Sequence, residues 1–242
     1  MEPSLYPQMA ALENKHWWFS ARRTIVNYFL SQLNLPTNTK ILEAGCGTGG
    51  NLSLLAQYGQ VFAIESNEVA REFASKNRGV EVKAGTLPDN IPFQSEKFDL
   101  IVLLDVLEHL EEDARSLQAL SKQLKVGGYL LVTVPALPFL WGQHDEKHHH
   151  YRRYVKTGLH QLVKNAGFKI IKLSYFNFFM FPMVLLIRLL HRFSKKEQDE
   201  LSLPPSWLNW LLKKIFASER YFINRMSLPI GVSLILIAQK ND

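Results

Sequence analysis

The eleven residues ILEAGCGTGGN, 41–51, restrict the fold more than any other stretch of the chain. An apolar run ends at Glu43, glycines follow at 45, 47, 49 and 50, and NLSLLAQYG (51–59) reads as a helix. Glycine turns tightly and lets backbone N–H groups approach a ligand at the start of a helix, so the stretch predicts strand, ligand-binding turn and helix. The same alternation continues downstream. KILEA (40–44), QVFAIE (60–65), VEVKAG (80–85), FDLIVLLD (98–105), YLLVTVP (129–135), FKIIKLSY (168–175) and GVSLILIAQK (231–240) read as strands. NEVAREFASKNR (67–78), with Asn67 as its cap, EEDARSLQALSKQL (111–124), stopping at Gly127–Gly128, and TGLHQLVKNAG (157–167) read as helices. This pattern specifies an α/β fold: a parallel, doubly wound, Rossmann-like sheet of seven strands whose ligands lie beyond the carboxyl ends of the strands. The expected parts are a helical lead (1–36), the core (37–173), an insertion (174–227) and the final core strand (228–242).

At 242 residues and 47% hydrophobic, the chain can bury a full core. Cys46 is the single cysteine, which removes any disulfide framework, and no basic stretch precedes an apolar run at the N-terminus, so the chain reads as cytoplasmic. The net charge of +6 matters less than its placement. Residues 174–226 hold eight Lys/Arg against four Asp/Glu within an apolar background. Basic plus apolar favours lipid headgroups, and the core shows no basic stripe with interleaved aromatics, so nucleic acid is not the expected partner. YFNFFMFPMVLLIRLL (175–190) is shorter than the ~20 residues of a spanning helix, and Pro182 interrupts it. In WLNWLLKKIF (207–216), Trp207, Trp210, Leu211 and Ile215 fall near one helical face and Lys213 and Lys214 towards the other. Residues 175–216 are therefore expected to touch the inner face of the cell membrane peripherally, with an active-site lid and a dimer interface as the alternatives.

Residues 45–50 also satisfy the G-x-G-x-x-G dinucleotide fingerprint, with Glu65 where a ribose-binding acid belongs. Glu43 discriminates, because a carboxylate at the mouth of the first strand repels a pyrophosphate and pairs with an ammonium group. At EAGCGTG the residues resemble the acid-x-G-x-G-x-G motif of the class I S-adenosylmethionine-dependent methyltransferases. The HWWF…ARR lead, LWGQHD…HYRRY and LPIGVSLILIAQK are similar to a bacterial methyltransferase-11/12-like subgroup associated with polysaccharide or lipid-linked metabolism. The resemblance implies that Glu43, Gly45, Gly47 and Gly49 hold the methionine end of S-adenosylmethionine and that Glu65 accepts the ribose hydroxyls. Thr86 and Leu87 stand where relatives often place an acid against the adenine, a departure from the pattern. Asp105, in FDLIVLLDVLEHL (98–110), would lie beside the transferred methyl group. A non-catalytic cofactor-binding scaffold at the membrane and a nicotinamide oxidoreductase are the rival readings.

Methyl transfer to a hydroxyl needs a base, and histidine suits that task. His109 lies four residues beyond Asp105, and His144 and His150 fall in LWGQHDEKHHHYRRY (140–154), which follows the fifth strand onto the ligand-bearing rim. These three are the catalytic candidates. Asp145, Arg152, Arg153 and Tyr154 are the expected substrate contacts, Arg152 and Arg153 as clamps on an anionic group. No metal is expected, because consecutive histidines on a loop or strand diverge. Glu108 is expected to be solvated or paired locally. The whole reads as a methyltransferase for a hydrophobic or lipid-linked small-molecule acceptor, by O-methylation.

Overall fold

The computed structural model describes residues 5–76, 79–191 and 202–241. Two helices, α1 (Leu5–Leu12) and α2 (Trp17–Leu30), precede the alternating core. The core begins with β1 (Lys40–Ala44), α3 (Leu52–Leu55), β2 (Gln60–Glu65), α4 (Glu68–Ala74), β3 (Glu81–Ala84) and β4 (Phe98–Leu104). It continues with α5 (Asp113–Gln123), β5 (Leu124–Pro135), α6 (Gln143–Lys147), α7 (Lys156–Asn165) and β6 (Phe168–Phe176). Helices α8 (Phe181–His191) and α9 (Ser206–Arg225) then intervene before β7 (Ser233–Lys240).

The strands form one sheet in the order β3-β2-β1-β4-β5-β7-β6. The first five run parallel, but β7 enters between β5 and β6 antiparallel to both, so the expectation of an all-parallel sheet is corrected to a mixed one. Residues Ser233–Ala238 are buried, and a run that is apolar on both faces carries no information about strand direction. The buried runs of β1, β4 and β5 place their carboxyl ends side by side, and the Gly45 turn, Asp105 and the 136–155 segment emerge there.

Other boundaries also shift. The helix expected over 51–59 is the single turn of α3. Helix α5 stops at Gln123, and Gly127 and Gly128 lie inside β5, Gly127 with φ +74°. Asn67 does cap α4, its side chain accepting from the Ala70 N–H, although the expected end of that helix, residues 77 and 78, lies outside the described residues. Pro182 sits in the first turn of α8, where a missing N–H costs nothing, instead of breaking a helix.

Helix α9 packs against α2. Phe216 stacks on Phe176 at 5.8 Å and meets the edge of Trp17 at 6.0 Å. Asn209 accepts from the Trp17 N–H at 2.8 Å and donates to the Lys15 carbonyl at 2.9 Å, fixing the start of α2 from the insertion. Glu219, buried on α9, accepts from the Phe179 N–H at 2.9 Å and ties α9 to the entrance of α8.

Candidate active site

The turn after β1 is built by backbone conformation. Gly45, Gly47 and Gly49 have φ of +79°, +55° and +90°, and a Cβ at Gly45 would lie 2.8 Å from the Val106 side chain. Only glycine meets both demands at Gly45. Glu43, 1% exposed beneath the turn, accepts from the Asn51 amide at 3.0 Å through Oε1, while Oε2 has no partner. Burial pushes this carboxyl up to about 7. An orphaned, desolvated carboxylate oxygen is what an incoming ammonium group would satisfy, so the residues present fit the cofactor expected there.

Glu65, at the end of β2, accepts from the Gly47 N–H at 2.9 Å and the Asn67 N–H at 2.8 Å. Helix α1 lies over this corner. Tyr6 is buried close enough to Glu65 for its hydroxyl to be pushed up to about 12 by burial and by that charge. Glu13 accepts from the Thr48 hydroxyl at 2.8 Å. The segment of Thr86 and Leu87 leaves β3 in a short backbone pairing with Asn90, Thr86 exposed and Leu87 half-buried.

Asp105, directly after β4, adopts φ +57°, an uncommon conformation for a residue with a Cβ. Its N–H donates to the Thr133 carbonyl at 3.0 Å, and its carboxylate accepts from the Thr133 hydroxyl at 3.1 Å and pairs with Arg22 of α2. Arg22 also lies 4.7 Å from the Trp18 ring centroid. The helical lead thus delivers a buried guanidinium to the strand exit. Sequence reasoning gave Arg22 no role, although the ARR of the lead was the signal available.

A tight turn at Leu107–His109 follows, and the 136–155 segment folds against it through the Tyr151 N–H, which donates to the Glu108 carbonyl at 2.8 Å. Glu108 is 1% exposed, and neither carboxylate oxygen has a hydrogen-bond partner; burial and neighbouring Asp105 raise its proton affinity well above the ordinary carboxylate range. The expected solvated or locally paired Glu108 is therefore wrong. The ring of His109 lies 4.6 Å from that of His150, and His109 is pushed down to about 3 by burial and by His150. His144 and His148, four apart across α6, bring their rings to 4.3 Å, and His144 lies 5.7 Å from His150. The histidines converge because residues 143–147 are helical, which the assumption of a divergent loop missed.

The residues expected to contact substrate all make bonds within the protein. Asp145 is fully buried and accepts from the Arg153 Nε at 2.8 Å, the Gly142 N–H at 3.0 Å and Arg188 of α8 at 3.1 Å. It also holds His150 Nδ1 at 2.9 Å. The hydrogen bond from His150 and the two arginines outweigh burial and hold Asp145 well below the usual carboxylate range. Arg153 is spent on Asp145 and the Ala136 carbonyl. Tyr154 bonds Asp113 at 2.8 Å, and Arg152 pairs with the same Asp113 at 2.6 Å while remaining partly exposed. Asp145, Arg153 and Tyr154 thus each bond within the protein, Tyr154 also to the Leu107 carbonyl at 3.2 Å.

The model of a methyltransferase domain matches residues 11–173. A probable S-adenosylmethionine-dependent methyltransferase of Mycobacterium tuberculosis (strain CDC 1551 / Oshkosh) is 29% identical over 126 residues, covering 51% of this chain and 44% of that protein. The chain thus spans about half the length of the first curated relatives it matches. The ubiquinone biosynthesis O-methyltransferase of Xanthomonas axonopodis pv. citri is 27% identical over 195 residues, covering 69% of this chain and 81% of that one. Among solved structures, the complex between the Haloferax volcanii Trm112 methyltransferase activator and a putative methyltransferase aligns with a TM-score of 0.64 at 14% identity, over 99% of this chain and 95% of that one. At that identity the likeness concerns the fold. The glycine turn after β1, the orphaned carboxylate beneath it and a family match across two thirds of the chain agree: the chain belongs to the class I S-adenosylmethionine-dependent methyltransferases.

Proposed function

We propose that this chain moves the methyl group of S-adenosylmethionine onto a hydroxyl oxygen of a hydrophobic or lipid-linked small molecule. The observation that carries the reading is the cluster of Glu108, His109 and His150, gathered just past Asp105 where β4 ends. S-adenosylmethionine supplies an activated methyl on a sulfonium, and its displacement in line asks the protein for alignment and a dry cavity. Glu43 would take the ammonium group on Oε2, and the backbone of Gly45, Gly47 and Gly49 would line the methionine end. Glu65 would exchange its bonds to the Gly47 and Asn67 N–H groups for the ribose hydroxyls. A neutral hydroxyl is a poor nucleophile and must lose a proton, and the Glu108–His109–His150 cluster supplies groups able to take it. Asp145 orients His150 through Nδ1, which leaves Nε2 to act.

Relatives named ubiquinone biosynthesis O-methyltransferase support oxygen as the acceptor atom. The acceptor's hydrophobic character is supported by the exposed Met183, Leu186 and Leu190 of α8 and Trp207 and Trp210 of α9, which we assign to peripheral contact with a lipid surface. The test is methyl transfer from labelled S-adenosylmethionine to hydroxylated aromatic and polyprenyl-linked acceptors, with and without liposomes. His150→Ala should lower turnover by about 10²–10⁴-fold while cofactor affinity stays within a factor of about two. Methylation of amines alone would overturn the choice of oxygen, and cofactor binding without transfer to any acceptor would favour a scaffold.

A further inference from the structure

The same cluster has the donor set of a metal site. Glu108, His109 and His150 each offer a ligand atom, and these atoms lie within 4.8 Å of one another. Three further features point to a cation. First, both Glu108 oxygens are buried without a hydrogen-bond donor, the costliest arrangement for a carboxylate and one that a bound cation relieves. Arg22 and Arg153 are near enough to attract it, yet they donate to Asp105 and Asp145 instead. Second, His150 is held at Nδ1 by the Asp145 carboxylate. Histidines that bind metals characteristically fix their other nitrogen this way, which sets the tautomer and aims the free nitrogen. Third, the two histidines are forty-one residues apart in sequence, and their segments are joined by the bond from the Tyr151 N–H to the Glu108 carbonyl.

We propose that Glu108, His109 and His150 bind a divalent transition-metal ion of the zinc type, as a His₂Glu set that leaves a coordination position for an acceptor hydroxyl. The proposal deepens the O-methylation reading and gives His150 Nε2 to the ion instead of to the proton: an ion at that position lowers the pKa of the hydroxyl it holds, so that the hydroxyl proton can leave to solvent. His144 and His148 lie outside the three-residue set, their ring centroids 5.7 and 5.9 Å from that of His150.

Titration of chelator-treated protein with Co²⁺, read by its visible ligand-field bands, tests the site without substrate or activity. One equivalent should bind with the intense spectrum of a four- or five-coordinate ion, and Zn²⁺ should displace it. His109→Ala and His150→Ala should abolish the bands, and Glu108→Gln, nearly isosteric, should weaken binding by about 10–100-fold. His144→Ala/His148→Ala should retain it. Circular dichroism and cofactor affinity report folding, and Glu108→Gln keeps the test decisive if an alanine variant does not fold. Wild-type protein that takes up no stoichiometric Co²⁺ or Zn²⁺, or binding unchanged in His109→Ala/His150→Ala, would overturn the site. Stoichiometric binding without O-methylation would uphold the site and remove only the acceptor reading. Undiminished O-methylation under chelator would overturn the ion's part in the reaction.

Discussion

Glu43 is a carboxyl group whose proton affinity the fold raises, so that its neutral and ionised forms are close in energy near pH 7. Its folded value near 7 lies above the ordinary 4.5, so the stabilisation that goes with the protonated form is complete below 4.5 and is lost as pH rises through 7. Pairing with an ammonium group needs the ionised form, and cofactor affinity should therefore fall by about tenfold between about pH 8 and about pH 6. Calorimetry across that range checks it, and Glu43→Gln should bind more weakly with a flat profile; a wild type as flat as the variant would remove the ammonium partner. Asp145 has the opposite sign. Its folded value is depressed below 3.8, so it contributes stability at neutral pH that is lost as pH falls below that value. Asp145→Ala would strand buried Arg153, costing about 3–5 kcal/mol and lowering Tm by on the order of 10 °C. Thermal melts at neutral pH measure this, and a drop of only a degree or two would mean that water reaches Arg153. The positions of Glu43 in β1 and Glu65 at the end of β2, beside the glycine turn, were legible in the sequence because they follow from local geometry. Glu108 and Asp145 were not, since charged side chains next to each other in sequence give no sign of which one tertiary packing will bury.

Helix α1 covers the corner that holds the glycine turn and Glu65, through Tyr6, Met9 and the bond between Glu13 and Thr48. If the cofactor held by Glu43 and the turn enters and leaves past this helix, the bond between Glu13 and Thr48 resists its exchange. Loss of one buried hydrogen bond to a charged group amounts to about 1.5–3 kcal/mol, so Glu13→Ala should speed cofactor release by at least about tenfold. Stopped-flow fluorescence displacement would measure it; an unchanged release rate would mean that α1 is not the barrier. At this scale the sequence was informative for strands and less so for helices. Buried strands such as Phe98–Leu104 announce themselves as nearly unbroken apolar runs, whereas α3 is a single turn within a segment whose apolar spacing suggests a longer helix. The direction of β7 and the gathering of four histidines by the short helix α6 both depend on partners far away in the chain.

The whole molecule sets its strand exits, its histidine cluster and its exposed apolar helices in one connected arrangement, and the connection runs through Asp145. Arg188 of α8, counted in the sequence among the basic groups available to headgroups, turns inward to Asp145 and the Leu140 carbonyl, so α8 is fastened to the segment that carries His150. The exposed apolar side chains include Met183, Leu186, Ile187, Leu189 and Leu190 on α8 and Trp207 and Trp210, 68% and 60% exposed, on α9, with Lys214 against the Trp210 ring. Arg192, Lys195 and Lys196, three of the eight basic residues in 174–226, lie outside the described residues. Among the described residues no helix is long and apolar enough to cross a membrane. An apolar face with tryptophans at its margin and lysines beside it suits shallow insertion at the lipid surface, where indole rings settle at headgroup depth. Such docking would bring a lipid-borne hydroxyl towards the side of the molecule that holds His150, with α8 and Asp145 as the rigid link. Flotation with liposomes containing about 30% anionic lipid should therefore recover the wild type, and Trp207→Ala/Trp210→Ala should lose most of that recovery at unchanged Tm. Both substitutions are on exposed side chains, so a shared Tm isolates the surface from the fold. Equal recovery of the two proteins would assign the face to a lid or to a second copy of the chain, which sedimentation of the same pair would then distinguish.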